Sequence, residues 1–192
     1  MFEAFSKVLM KLLAILATAV VVKTIDDVLD LEDPNESPYV TFFGRGTLPY
    51  MTALFSLALL FHFETAFTLF WASYTMGMIG APSQVLPTGV MSIIEIGIGL
   101  FLLFIVSGRF TAIWGIMLIL AIQLGDDLLD KEDDRKGTNV ALLIGSGECL
   151  FLLMIALYIA VTLRPLESTA AFITALWLGN GFSAKRKEAL TP

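Results

Sequence analysis

The sequence predicts an all-α membrane protein: a polytopic bundle of about seven transmembrane helices, arranged as two parallel three-helix repeats plus a connecting helix. Three observations carry this expectation. The chain has 192 residues, of which 57% are hydrophobic, and a mean hydropathy of +0.82. That is more apolar side chain than a soluble core of this size can enclose. Apolar stretches of about 20 residues, the length that crosses a bilayer, recur along the chain. Finally, "DDVLDLED" (Asp26 to Asp33) returns 100 residues later as "DDLLDKED" (Asp126 to Asp133), with six of eight positions identical.

The first expected span covers 8–27. It follows a Lys-bearing start and has no small-residue cleavage site before Asp26, so it reads as a retained helix rather than a cleaved leader. Spans at 48–62 and 65–80 follow, both short and interrupted only by "HFET". One bent helix is the alternative, and two spans are preferred because seven in all put both acidic clusters on one side of the membrane. Further spans are expected at 89–107, 111–130, 140–163 and 166–181. The chain is thus expected to be one integral membrane domain: repeat one over 8–80, a connecting helix at 89–107, repeat two over 111–181, and a cytoplasmic tail at 182–192. Cys149 lies alone in an apolar run, which excludes an intramolecular disulfide and reads as a buried thiol. The single histidine, His62, excludes a multi-histidine metal site.

Counting seven spans puts both acidic clusters at the ends of helices that run in the same direction, the first and the fifth. They then emerge on one side of the membrane. Lys23, Arg45, Lys131, Arg135, Lys136, Lys185, Arg186 and Lys187 fall on that side, and Lys7, Lys11, Arg109 and Arg164 on the other. The excess of basic residues makes the acidic side cytoplasmic, most simply at the cell membrane. The repeat reaches beyond the aspartates. "RGT" (Arg45 to Thr47) and "KGT" (Lys136 to Thr138) each open the next span, and "ETAFTLFWAS" from Glu64 is similar to "ESTAAFITALW" from Glu167. Repeats in membrane proteins commonly form their site where they meet.

On a helix, Asp26, Asp27, Asp30 and Asp33 fall within about 120° of arc. Asp126, Asp127, Asp130, Asp133 and Asp134 do the same. Each set sits where the helix dipole is negative, so an uncompensated cluster is disfavoured and a cation is expected beside it. Carboxylate oxygens suit Mg²⁺, which keeps part of its water shell and bridges to phosphates. A solvated acidic cap explains one such cluster; it does not explain two at matched positions, each followed by a basic-Gly-Thr turn.

These motifs resemble a known family. "DDLLDKEDDRKGTNVALLIG" (Asp126 to Gly145) is similar to the second aspartate-rich segment of the UbiA superfamily of intramembrane prenyltransferases. "DDVLDLEDP" followed by "GRGTLP" (Gly44 to Pro49) resembles the first. The first copy departs from the family pattern in having Asp26 where Asn is usual and Pro34 in the place of the last aspartate. The chain is also shorter than the nine-span family members.

The resemblance implies a Mg²⁺-dependent prenyltransferase that ionises a prenyl diphosphate between the two motifs and transfers the prenyl group to a small aromatic or lipid acceptor. It implies Asp26, Asp27, Asp30, Asp33, Asp126, Asp127, Asp130 and Asp134 as metal ligands. Lys23, Arg45, Lys131, Arg135 and Lys136 are the local cations for the diphosphate. Asp27, Asp30, Asp126, Asp130 and Glu148 are the expected catalytic groups. Lys23 and Gln123 hold matched places one turn before each cluster. The partners are the prenyl diphosphate, a hydrophobic or lipid acceptor and membrane lipids, with no nucleic acid.

Glu95 and Glu148 are each expected about 10–12 Å inside a span, a depth at which ionisable groups usually face a cavity. Trp71, Tyr74, Tyr158 and Trp177, with Tyr39, Phe42 and Phe43, are the aromatics able to wall a dry pocket. Gly97, Gly99, Gly145 and Gly147 read as close-packing positions. "MGMIGAPSQVLPTG" (Met76 to Gly89) reads as a flexible cytoplasmic loop, and His62 and Glu64 as structural residues of an outer turn. Two other function classes use the same features: a divalent-cation transporter or channel built on the carboxylates, and a non-catalytic membrane scaffold. Metal-dependent diphosphate release separates the enzyme from both.

Overall fold

The computed structural model describes residues 2–30, 43–79, 82–86, 88–129 and 140–189. It is all-α there. The helices are α1 (Phe2–Asp30), α2 (Thr47–Gly77), α3 (Ser92–Ser107), α4 (Arg109–Leu129), α5 (Val140–Ile144), α6 (Ser146–Leu163) and α7 (Pro165–Ala189). Among the described residues the sole extended pairing is one antiparallel bridge between Val85 and Met91. Four stretches are long and apolar enough to cross a membrane: Glu3–Asp26, Thr47–Gly77, Arg109–Leu129 and Ser146–Leu163; α3 is apolar but shorter. Large apolar side chains point outward from these helices, among them Leu60, Phe101, Phe151 and Met154, a surface that suits lipid better than water.

Among the described residues the helices follow most of the expected stretches, with three differences. The expected pair 48–62 and 65–80 falls in α2, whose helical geometry breaks at His62 (φ −157°, ψ 94°). His62 Nδ1 accepts the Thr65 N–H at 3.3 Å. An extended residue whose side chain accepts from the amide three residues on is the arrangement of a helix N-cap, so the helix restarts there. The expected stretch 140–163 is instead split into α5 and α6 by Gly145, at φ 99°. Helix α7 runs past 181 to Ala189.

The chain divides into two compact units, Met1–Ala66 with Ala170–Pro192, and Phe67–Thr169. In the first, a single 3-10 turn at Gly44–Gly46 leads into α2, and Thr47 Oγ1 closes it by donating to the Gly44 carbonyl at 2.7 Å. Pro49 sits in the first turn of α2, where a missing N–H removes no helical bond. Ala14 and Ala17 of α1 pack with Ala58 and Ala66 of α2, flanked by Leu54, Leu59 and Phe61. Small side chains let helices approach closely, the usual basis of packing where lipid replaces water outside.

In the second unit, the end of α2 pairs antiparallel with α3. Thr68 Oγ1 donates to Ser107 Oγ at 2.7 Å, while two turns on, Thr75 and Trp71 lie over Gly99. Gly115 of α4 receives the Thr68 methyl in the same way, with Ala72 beside it. At both glycines a Cβ would collide with a threonine methyl, so these two positions require the absence of a side chain. No described atom stands within 4 Å of where a Cβ would sit at Gly97 or Gly147, so those glycines are not close-packing positions here. Helix α4 packs chiefly on α6 through Leu124, Cys149 and Leu153, with Ala141 of α5. Cys149 is fully buried, its thiol 3.7 Å from the Leu124 carbonyl.

The corner between α6 and α7 is tied to α4 by polar contacts. Trp114, fully buried, donates its indole N–H to Ser168 Oγ at 2.8 Å. Ser168 Oγ in turn donates to the Ala160 carbonyl at 2.8 Å. Arg164 lies 5.1 Å from the Trp114 ring centroid and donates to Thr111 Oγ1 at 2.7 Å. Pro165 opens α7 at its first position, which its fixed φ favours.

Candidate functional site

Both acidic segments end apolar helices. Asp26 lies in the closing turns of α1, which runs to Asp30, and Asp126 and Asp127 lie in the last turn of α4. Asp26 is exposed and Lys23 half-buried, and Lys23 Nζ is 3.7 Å from Asp26 Oδ2. The lysine stem lies along the helix while its ammonium faces the first carboxylate of the motif. Gln123, the counterpart of Lys23, is also half-buried.

In the second unit Asp126 is exposed and Asp127 half-buried. Asp127 Oδ2 accepts the backbone N–H of Val140 at 2.9 Å. Val140 is the first residue of α5, so the carboxylate at the end of one helix caps the start of the next across the acidic segment. A capping contact of this kind satisfies an amide that has no partner within its own helix. This role was not legible in the sequence, because donor and acceptor are thirteen positions apart and the donor is a backbone group.

Glu148 lies in the first turn of α6 and is exposed. It lies at the same end of the α4–α6 pair as Asp127, since Leu124 of α4 and Cys149 of α6, the residue after Glu148, touch. The break at Gly145 places it at a helix start, where the dipole favours an anion, rather than several turns inside a continuous span. A Cβ at Gly145 would meet the Glu148 carboxylate. The structure therefore brings Asp126, Asp127 and Glu148 to one end of the α4–α6 pair.

Asp33, Asp130, Asp133, Asp134, Lys131, Arg135 and Lys136 lie outside the described residues, as do Tyr39, Phe42 and the side chains of Asp27, Asp30 and Arg45. Among the described residues there is no group of three His, Cys, Asp or Glu side chains placed to hold a metal ion. Asp26 belongs to the first unit, while Asp126, Asp127 and Glu148 belong to the second.

A further carboxylate group in the second unit has partners that the sequence did not reveal. Glu95, in the first turn of α3, accepts hydrogen bonds from the Tyr74 hydroxyl and from Thr88 Oγ1. Thr88 also accepts from the Val90 N–H at 3.4 Å. The Met76 to Gly89 segment, expected to be flexible, is hydrogen-bonded in its described part: Leu86 N to Val90 O at 2.9 Å, Ser92 N to Gln84 O at 2.9 Å and Ile93 N to Pro82 O at 3.0 Å.

Comparison with protein-family models, with curated proteins and with solved structures found no match.

Proposed function

We propose that the chain is an integral membrane prenyltransferase of the UbiA type, acting on a prenyl diphosphate held between its two aspartate-rich segments. The observation that carries this reading is the duplicated motif at equivalent structural positions. Asp26 to Asp30 close α1, and Asp126 and Asp127 close α4, each on an apolar helix long enough to cross a membrane. In this reading the chain has seven spans as two parallel repeats, with both motifs on the cytoplasmic face of the cell membrane.

The donor set fits Mg²⁺, because it is made of hard carboxylate oxygens with no competing imidazole. Asp26, Asp27, Asp30 and Asp33 would hold it on one side and Asp126, Asp127, Asp130 and Asp134 on the other. Bound there, Mg²⁺ supplies Lewis-acid neutralisation of a diphosphate leaving group. Lys23, Arg45, Lys131, Arg135 and Lys136 bind the phosphate oxygens as charge-assisted donors. Asp127 keeps the two ends of the second acidic segment together through Val140. Glu148, at the same end of α4 and α6, takes the proton released by the acceptor as the new bond forms.

The test uses purified protein, a labelled prenyl diphosphate, and Mg²⁺ or EDTA, alongside Asp30→Asn and Asp130→Asn. Diphosphate release that needs Mg²⁺ and falls by roughly 10²-fold or more in each variant is expected, the scale on which single electrostatic contacts to a transition state act. Mg²⁺ flux in liposomes without diphosphate release would replace the enzyme reading by a transporter. Release that survives both substitutions would remove the site assignment.

A further inference from the structure

Glu95 stands apart from the aspartate-rich segments, in a setting that asks for a positive charge. Among the described residues its carboxylate meets two neutral hydroxyls, Tyr74 and Thr88, and no Lys or Arg. Both hydroxyls donate, so the group they hold is an acceptor on both oxygens, as an ionised carboxylate is. Around it the surface is apolar: Ile93, Ile94 and Ile98 are all exposed on α3. A carboxylate held ionised by neutral hydroxyls at an apolar surface keeps its full charge and attracts a cation.

The neighbouring side chains define which cation. Trp71 and Tyr74 stack edge-to-face, with ring centroids 5.6 Å apart at 86°. The Trp71 ring is seated over Gly99: a Cβ there would lie 3.5 Å from Trp71 Cε3 and 3.6 Å from Cζ3. Gly99 is four residues after Glu95, on the same face of α3. The Glu95 carboxylate of α3 thus lies one turn before the glycine over which the Trp71 indole of α2 is seated, and the Tyr74 hydroxyl, from the same helix as Trp71, reaches across to it. Tyr74 is 39% exposed, so the group is open to the outside. An anion flanked by two aromatic rings is the chemistry that recognises an alkylammonium group, which gains from the ring faces as well as from the charge.

We propose that Trp71, Tyr74 and Glu95 form a binding site for an alkylammonium head, with Thr88 orienting the carboxylate. The site lies where α2 ends and α3 begins, the depth at which aromatic residues meet lipid headgroups. Two sources carry this chemistry: a zwitterionic lipid, or a free soluble amine. A tryptophan and tyrosine pair at a membrane interface is ordinary by itself. The carboxylate joined to it by hydrogen bonds, with no Lys or Arg beside it among the described residues, is what distinguishes this pair.

The experiment uses the full chain in detergent and two probes. Tetramethylammonium is titrated while tryptophan fluorescence is read, with Trp71→Phe identifying the Trp71 signal. Retention of phosphatidylcholine over phosphatidylglycerol is read by native mass spectrometry after mixed-lipid extraction. Saturable quenching that weakens about tenfold in Glu95→Gln, and less in Tyr74→Phe, is expected from losing the charge and one ring's anchorage respectively. Selective phosphatidylcholine retention, lost in the same variants, assigns the site to a lipid head. Quenching without lipid selectivity assigns it to a soluble amine. Neither response in the wild-type chain, or equal responses in wild type and both variants, overturns the proposal. Tyr74→Phe keeps the test decisive if Glu95→Gln fails to fold.

Discussion

Replacing Asp127 by asparagine and by alanine separates its capping contact from its charge. Its Oδ2 accepts the Val140 N–H at 2.9 Å, and Val140 begins a helix of five residues. A helix so short has almost no intrinsic stability and depends on its ends being held. Asparagine presents the same acceptor and ranks with aspartate as a cap, so Asp127→Asn is expected to change stability by no more than about 0.5 kcal/mol. Alanine removes the acceptor and strands a half-buried amide, at about 1.5–3 kcal/mol for a bond to a charged group. For a chain of this length that lowers the unfolding midpoint by roughly 3–12 °C. Thermal unfolding in detergent reads the first effect, and Mg²⁺-dependent diphosphate release reads the second. The expected pattern is an asparagine variant that is stable and inactive, and an alanine variant that is destabilised and inactive. If asparagine destabilises as much as alanine, the carboxylate does not act as a cap. If asparagine releases diphosphate like the wild type, Asp127 does not act on the substrate.

Two further substitutions test the architecture. Trp114→Phe removes the indole donor to Ser168 and weakens the Arg164 stack. With the volume lost it should cost about 2–4 kcal/mol, read by thermal unfolding; a loss under about 0.5 kcal/mol would be that of an ordinary surface site and refute the buried network. Gly145→Ala forces a side chain into φ 99° and should cost about 1–3 kcal/mol of backbone strain. The same measurement on a Gly145→Ala, Glu148→Ala double variant should show no recovery, since the strain is in the backbone; full recovery would assign the cost to the Glu148 contact.

The all-α class and most helix positions were legible because long apolar runs leave few alternatives. The interruption at "HFET" was legible too, and the structure supplies its cause in the His62 side chain and the Thr65 amide. The break at Gly145 was not. It sits in "ALLIGSGECL", where apolar residues continue on both sides and one backbone angle decides the outcome. That angle moved Glu148 from a buried depth to an exposed first turn. The tie between Trp114 and Ser168 joins positions 54 apart, and the Tyr74 contact of Glu95 joins positions 21 apart. Neither pairing follows any helical period, so hydrophobic patterning carries no trace of it. At the aspartates the sequence signal is the repeat itself, and the structure adds the Val140 cap to it.

The two threonines seated on glycines have different tolerances. At Gly99, the Thr75 hydroxyl turns back to the carbonyls of Trp71 and Ala72 in its own helix. Valine there would fill the notch equally well and leave no other side chain unserved. At Gly115 the methyl of Thr68 fills the notch while its hydroxyl serves Ser107 on α3. Serine would keep the bond and empty the notch; valine would fill the notch and abandon Ser107. One side chain thus addresses two neighbouring helices through two chemically distinct arms, and position 68 admits only a residue carrying both.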